Sequence, residues 1–515
     1  MIIGNRIRNY KEEIIKDLQE LIKIRSVKGP AVEGKPFGEE VNKALEYVLK
    51  RGEEFGFKVK NVDGYAGHVE YGEGDEIVGI LVHLDIVPEG AGWNYPPFGG
   101  EIHDGKIYGR GASDDKGPAI VALYSLKVLK DAGIVPKRKI RVIFGVNEES
   151  GMEDMKYYFS KEPVPDLGFS PDAYYPIINR EKGILHLFLE KDIDTDRKDK
   201  INKDNIIDDI KDREESIKDK GGSISIYEGK EKATVRNAIE KIWGGEVVNM
   251  VPPECHALIS EKILTPDEIE SLKERADKYN AAIGRHVINV SFIDEKNGDG
   301  KRVKISAKGK SAHGSTPQEG INAIYHMLDF LSFLGKDNFL GRENYMNDFL
   351  EFLYRKIGNE TTGQSLGINL KDEESGELTL NLGKIEMENG KAKAYIDIRY
   401  PVTYKAEDIL PIIEKNAQEA GITVKIMGHS KPLYVPENHP LIIGLINAYE
   451  KITGEKAKLL SMGGGTYART LNNNGVAFGG AGHGAHQPDE HVSIEELMRH
   501  GEICTQAIYE LACVC

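Results

Sequence analysis

Two histidines and a set of carboxylates stand at the edges of apolar runs along this chain: His83 and Asp85, then Asp114 in the stretch DDKG, then Glu148-Glu149, Asp172, and finally His486. Imidazole nitrogen and carboxylate oxygen suit zinc, and a catalytic zinc keeps one position open for water. Two such metals roughly 3.5–4 Å apart can hold a water between them and polarise a carbonyl. A pair needs one shared carboxylate and two further donors per metal. His83, Asp114, Glu149, Asp172 and His486 supply that count. Hydrolysis of an amide bond is the chemistry such a pair most often serves. Each residue alone reads as an ordinary satisfied side chain; the reading comes from all five standing in ligand-like contexts together.

Two neighbouring positions support it. Asp85 lies two residues beyond His83 on an extended segment, so both side chains point to the same side. A carboxylate there can accept the second ring proton of a metal-binding imidazole and fix its tautomer. Glu148 and Glu149 are adjacent at a strand exit, where successive side chains face opposite ways. One can bind metal while the other takes a proton from water as general base and later returns it to the leaving amine.

The elements that must position these groups are legible up to about residue 180 and again after 432. Ile77–Val82 is a continuous apolar run of the kind buried on both faces of a sheet. Ala119–Leu129 has helical spacing, with Pro118 in the first turn. Residues 139–146 form another strand. Strand, helix, strand in this rhythm predicts an α/β unit with a mostly parallel sheet. His83 with Asp85, and Glu148 with Glu149, then fall at carboxyl ends of strands, where open α/β sheets place their ligands. After 432 a helix over 438–452, a glycine-rich loop and a last helix over 493–511 return to that sheet. Between them, 287–292, 301–306, 378–382 and 392–398 alternate as antiparallel strands do. The division expected is a catalytic domain of residues 1–183 and 433–515, interrupted by an α+β domain at 184–432. A charged insertion near 190–231 reads as a solvated helix or loop.

Composition bounds the rest. A length of 515 residues predicts two or three domains. The net charge of −15 argues against nucleic acid or an anionic membrane as partner. No apolar run approaches the roughly 18 residues that span a bilayer. Residues 5–24 read as a charged amphipathic helix rather than a cleavable leader. Cysteines at 255, 504, 513 and 515 show no disulfide framework, and the last two read as a frayed tail. A reducing, cytoplasmic setting is expected.

The stretches LVHLDIVPEG, GWNYPPFGGEIHDGKIYGRGASDDKGP, FGVNEESGMEDM, GFSPDAYYPIINREKG, GKSAHGSTPQEGINA, IDIRYP, MGGGTYAR and AHQPDEHVSIEEL resemble, in order, those of the di-zinc metallopeptidases of the ArgE/DapE/aminoacylase/carboxypeptidase-G family, and within it the PepV-type dipeptidases. The resemblance implies a zinc-exopeptidase-like catalytic domain with a lid. It assigns His83 and Asp172 to one metal, Glu149 and His486 to the other, and Asp114 to both. It makes Glu148 the general base and Asp85 the residue that orients His83. His313 is implied to stabilise the oxyanion, Arg399 to grip the substrate carboxylate, and Asn249 to assist at one of these sites. Gly463, Gly464 and Gly465 could offer N–H groups to the same carboxylate. An Asp at position 172 goes, in this family, with dipeptidases, aminopeptidases and aminoacylases.

The expectation is a monomeric dipeptidase acting on small peptides with two Zn2+, where Mn2+ or Co2+ would also suit the donors, and where a homodimer is the other oligomeric state open. The alternatives are a deacylase of N-acyl amino acids or a succinyl-diaminopimelate desuccinylase, and a non-catalytic metal- or peptide-binding protein.

Overall fold

The computed structural model describes residues 1–193, 239–260, 266–294, 301–336 and 346–514. The charged insertion expected near 190–231 lies almost wholly outside the described residues. Two sheets organise the chain, each over its own apolar core.

The first sheet uses β1 (Lys58–Val62), β2 (Ala66–Tyr71), β3 (Ile77–His83), β4 (Lys139–Gly145), β5 (Leu167–Ser170) and β6 (Ile177–Glu181) from the front of the chain. The second uses β7 (Gly183–Asp192), β8 (Ile239–Gly244), β9 (Glu254–Ser260), β10 (Ile288–Asp294), β11 (Lys301–Lys308), β12 (Thr379–Glu388), β13 (Lys391–Tyr400) and β14 (Thr423–Ser430). The chain then returns to the first sheet with β15 (Leu433–Tyr434), β16 (Leu459–Met462) and β17 (Gly475–Ala477).

The first sheet runs β1-β2-β4-β3-β5-β17-β6-β15, with β16 beside β6. Its centre, β4-β3-β5-β17, is parallel. The reason is visible in β3, whose seven residues are all buried: a strand covered on both faces needs helices on both sides. Helix Lys116–Asp131 supplies one cover and is buried along nearly its whole length, except at Lys127, Lys130 and Asp131. It packs with helix Ile494–Tyr509, which opens on a capping box between Ser493 and Glu496. The core joins residues from 3–177 to residues from 433–512.

The residues just before the terminal cysteine pair are tied down. Ala512 O accepts the N–H groups of Lys137 and Arg138, and Leu511 and Ala512 are buried, because the apolar stripe of the last helix continues through them. Cys515 lies outside the described residues.

The second sheet is antiparallel and runs β10-β11-β9-β8-β12-β13-β7-β14. It divides at the β8/β12 seam into two halves of one plan. Each half starts with a hairpin, β8-β9 or β12-β13. Each hairpin leads into a helix, Pro266–Ala282 or Leu410–Glu419, and an edge strand, β10 or β14, packs on that helix. The fourth strand follows the edge strand in one half (β11) and precedes everything in the other (β7). The repeat is therefore one of structure with a permuted chain order, and no periodicity announces it.

Candidate metal centre

Four loops meet beyond the carboxyl ends of the parallel strands, and a fifth arrives from the front of helix Lys116–Asp131. His83 is the last residue of β3; Glu148 and Glu149 follow β4; Asp172 follows β5; His486 lies in the loop after β17; Asp114 precedes the helix. The parallel order of the strands brings four of these positions to one edge. Sequence separations of up to about 400 residues become contacts.

Asp114 lies between the two imidazoles. Its Oδ1 is 2.9 Å from His83 Nε2, and its Oδ2 is 3.2 Å from His486 Nε2. Asp172 Oδ2 lies 3.8 Å from His83 Nε2, and Glu149 Oε1 lies 3.1 Å from His486 Nε2. The five predicted ligands therefore converge as two groups that share Asp114. In the triples His83–Asp114–Glu149 and His83–Glu148–Asp172, the ligand atoms lie within 4.8 Å of one another. The second triple contains Glu148, so proximity alone does not separate ligand from base. His486 itself is held at φ 63°, a left-handed conformation that a non-glycine residue adopts only when its surroundings impose it.

Asp85 reaches His83 through two of its oxygens. The atom nearest His83 Nδ1 is the main-chain O of Asp85, at 3.0 Å, while its carboxylate Oδ1 is 3.5 Å away. The carboxylate also accepts the N–H groups of Glu148 and Glu149, both at 3.1 Å. The cause is that Glu148–Gly151 forms a turn, whose first two N–H groups point back at Asp85, rather than an extended exit. One residue thus holds a histidine with its carbonyl and the Glu pair with its side chain.

The electrostatics follow from density. Asp85, Asp114, Asp115, Glu148, Glu149 and Asp172 crowd two imidazoles, of which His83 is buried and His486 exposed. Burial and mutual repulsion push Glu148, Glu149, Asp172 and Asp115 above the usual carboxylate range. Although burial opposes its charge, Asp114 is held well below that range by its hydrogen bonds to the two imidazoles. Hydrogen bonds to Asp114 and Glu149 raise His486 to about 11, and His83 is also raised, against the opposing effect of burial. Such a cluster has more negative charge than its own cations cancel. Its donor chemistry, nitrogen and carboxylate oxygen about a shared carboxylate, fits divalent cations.

The residues expected on the far side of the cleft gather as well. His313 pairs with Met250 across an isolated bridge, and Gly314 donates its N–H to Asn249 O at 2.7 Å. His313 is exposed, with Nδ1 2.6 Å from Ser315 Oγ. Partial desolvation and then the Arg399 guanidinium lower its pKa, and the fields of Asp397 and His486 also reach it. Gly463 touches this loop: a Cβ there would sit 2.6 Å from Ser315 Cβ. Its carbonyl accepts from Arg399 Nη1 at 2.9 Å, and the Gly464 carbonyl accepts from Arg469 Nη2 at 2.8 Å. Carbonyls of this loop therefore face guanidinium groups. Arg399 itself is buried and forked onto Asp397, with Nε to Oδ1 at 2.7 Å and Nη2 to Oδ2 at 2.9 Å. Three of the five N–H groups of a guanidinium are engaged this way.

Two further buried carboxylates, Asp115 and Asp154, brace the site and are not among the residues expected from sequence. Asp115 Oδ2 accepts the His83 N–H at 3.1 Å. Asp154 accepts the N–H groups of Val146 and Asn147 at 2.7 and 2.9 Å, and the Tyr467 hydroxyl. Their only signal was position, inside the same motifs as the ligands. A cavity of about 430 Å³ opens beside the cluster, lined in part by Ser113, Asp114, Asp172, Tyr174, Arg499 and His500.

A family model described as peptidase family M20/M25/M40 matches residues 79–510. A Bacillus subtilis protein named "Putative dipeptidase YtjP" is 38% identical over 513 residues, covering 98% of each chain. Among solved structures, an M20 family metallo-carboxypeptidase, Sso-CP2 from Sulfolobus solfataricus, aligns over 97% of this chain and 99% of its own, with a TM-score of 0.55 at 17% identity. The di-peptidase Dug1p from Saccharomyces cerevisiae aligns over 99% and 98%, with a TM-score of 0.55 at 12% identity. A carboxypeptidase and a dipeptidase share the fold, so the fold leaves the cleavage specificity open.

Proposed function

Because the chain belongs to peptidase family M20/M25/M40 and is a hydrolase acting on peptide bonds, we propose that it is a metal-dependent dipeptidase. The single observation carrying this reading is Asp114, with one carboxylate oxygen turned to His83 and the other to His486. His83 and Asp172 would hold one divalent cation, Glu149 and His486 a second, with Asp114 common to both. Bound there, zinc, manganese or cobalt would supply Lewis acidity to water and to the scissile carbonyl.

The chain's own residues do the rest. Glu148, raised by burial among like charges, takes the proton of the attacking water and passes it to the leaving amine. His313 donates to the developing oxyanion from across the cleft. Arg399, clamped by Asp397, offers its two remaining N–H groups to the peptide's terminal carboxylate, with Asn249 and the Gly463–Gly465 loop beside it. The contact of Gly463 with Ser315 closes that side, which favours short peptides. The 38% identical relative's name points to the same substrate class. The second sheet and its helices act as the lid, and one chain completes the cleft as a monomer. Among the described residues, no helix is long and apolar enough to cross a membrane. A reducing cytoplasm would keep Cys255, Cys504 and Cys513 as the free thiols seen here.

The test is to incubate metal-loaded protein with a dipeptide library and, in parallel, with N-acetyl and N-succinyl amino acids. Release of free amino acids from dipeptides is expected. Turnover confined to the acylated compounds would refute the dipeptidase reading.

A further inference from the structure

Glu490 is fully buried, four residues beyond His486, and belongs to no ligand group. Its Oε1 accepts three main-chain N–H groups, from Gly111 and Ser113 at 3.0 Å and from Asp114 at 3.1 Å. Its Oε2 takes Arg110 Nη1 at 2.7 Å, and Arg110 is only 2% exposed. Its own carbonyl accepts the Gly109 N–H at 2.9 Å. Arg110 also donates to Gln487 O and Glu89 O, both at 3.2 Å, and lies 5.1 Å over the Trp93 ring. The neighbour Asp489 accepts the N–H groups of Asn94 and Tyr95 from outside. The loop that carries Asp114 is therefore fastened to the loop that carries His486.

We propose that Glu490 is a positioning residue for the metal centre, setting Asp114 against His486; the inference rests on the metal-site reading above. A carboxylate whose oxygens already receive three N–H groups and a guanidinium has little lone-pair capacity left for a cation. What it supplies is placement. The Asp114 main chain cannot move away from His486 without breaking its N–H bond to Glu490, and the 486–490 segment cannot drift without pulling on Arg110. Groups that orient ligands in this way typically cost 10–100-fold in metal affinity or activity when lost.

The experiment titrates zinc into metal-free protein by calorimetry, with thermal unfolding of the same samples. Glu490→Gln keeps the size and one accepting oxygen but sets an amide N–H2 against Arg110. Its zinc affinity is expected to fall about 10–100-fold. Glu510→Gln serves as the control: Glu510 is equally buried and paired with Lys451, outside the site. It should lose thermal stability and keep wild-type affinity. Glu490→Asp, which retains the charge opposite Arg110, should recover part of the loss and stands in should Gln prevent folding. Wild-type affinity in both 490 variants would overturn the proposal, as would an equal loss in Glu510→Gln. Wild-type protein that takes up no divalent cation would overturn the metal-site reading, and this proposal with it.

Discussion

Replacing Glu148 by Gln separates catalysis from folding with one atom changed. The carboxyl lies among Asp172, Glu149 and Asp85, and burial followed by repulsion from these groups raises its pKa. A carboxyl whose pKa rises on folding costs stability at every pH above its unfolded value of about 4.3, because the unfolded chain ionises it more readily. An amide does not titrate, so the metal-free variant should be at least as stable as wild type at pH 7. Turnover should move the other way. A positioned general base is worth about 10²–10⁴-fold, or roughly 2.7–5.4 kcal/mol of barrier. The assay is kcat on one good dipeptide with saturating metal, beside bound metal per chain and the unfolding midpoint of the metal-free form. Expected are a fall in kcat of two to four decades, unchanged metal content and an unchanged or higher midpoint. Retention of more than a tenth of wild-type kcat would refute the base assignment. Loss of bound metal would instead make Glu148 a ligand beside His83 and Asp172, as their proximity permits.

Chelation should abolish peptide cleavage and lower the unfolding temperature, and readdition of zinc, manganese or cobalt should restore both; at 100 times the Kd, bound metal adds about 2.7 kcal/mol. A chelated sample that keeps full activity would contradict the mechanism. His68 and His500 are buried and their pKa values are lowered to about 3, chiefly by burial, so both fold neutral. Stability from each is complete above the unfolded value near 6.5 and is lost as pH falls toward 3, at about 1.4 kcal/mol per pH unit. Urea unfolding of wild type and His500→Gln should therefore diverge as pH falls below about 6.5, approaching that slope by about pH 5; parallel curves would show that His500 does not fold neutral. Gly463→Ala should drive a methyl into Ser315 and reduce kcat/KM by about tenfold, with Ser315→Gly restoring part of it in a double-mutant cycle. Additive effects would mean that the contact does not shape the cleft.

The parallel core was legible because β3 and β4 are apolar runs that a helix of buried residues separates. That rhythm puts His83 and Glu149 at one edge before any coordinates are known. Carboxylates inside the same motifs were harder. Asp114 and Asp115 are neighbours of one type, and only the backbone decides that one faces the imidazoles while the other accepts the His83 N–H. Glu490 and Asp154 bind main-chain N–H groups, which carry no side-chain signature. The Arg399–Asp397 fork could have been read, since i and i+2 on a strand share a face. Asp85 could not, because its partner is a turn formed elsewhere. The twofold plan of the second sheet was hidden by its permuted strand order.

That sheet has an outcome for how the cleft is assembled. His313 follows β11 in one half and Arg399 is the next-to-last residue of β13 in the other, and a single peptide chain carries both across the β8/β12 seam. Had the halves come from separate molecules, the number of finished clefts would obey mass action and shrink with dilution. On the roles proposed for His313 and Arg399, oxyanion donor and carboxylate grip would belong to one chain, and dilution would leave that pairing intact.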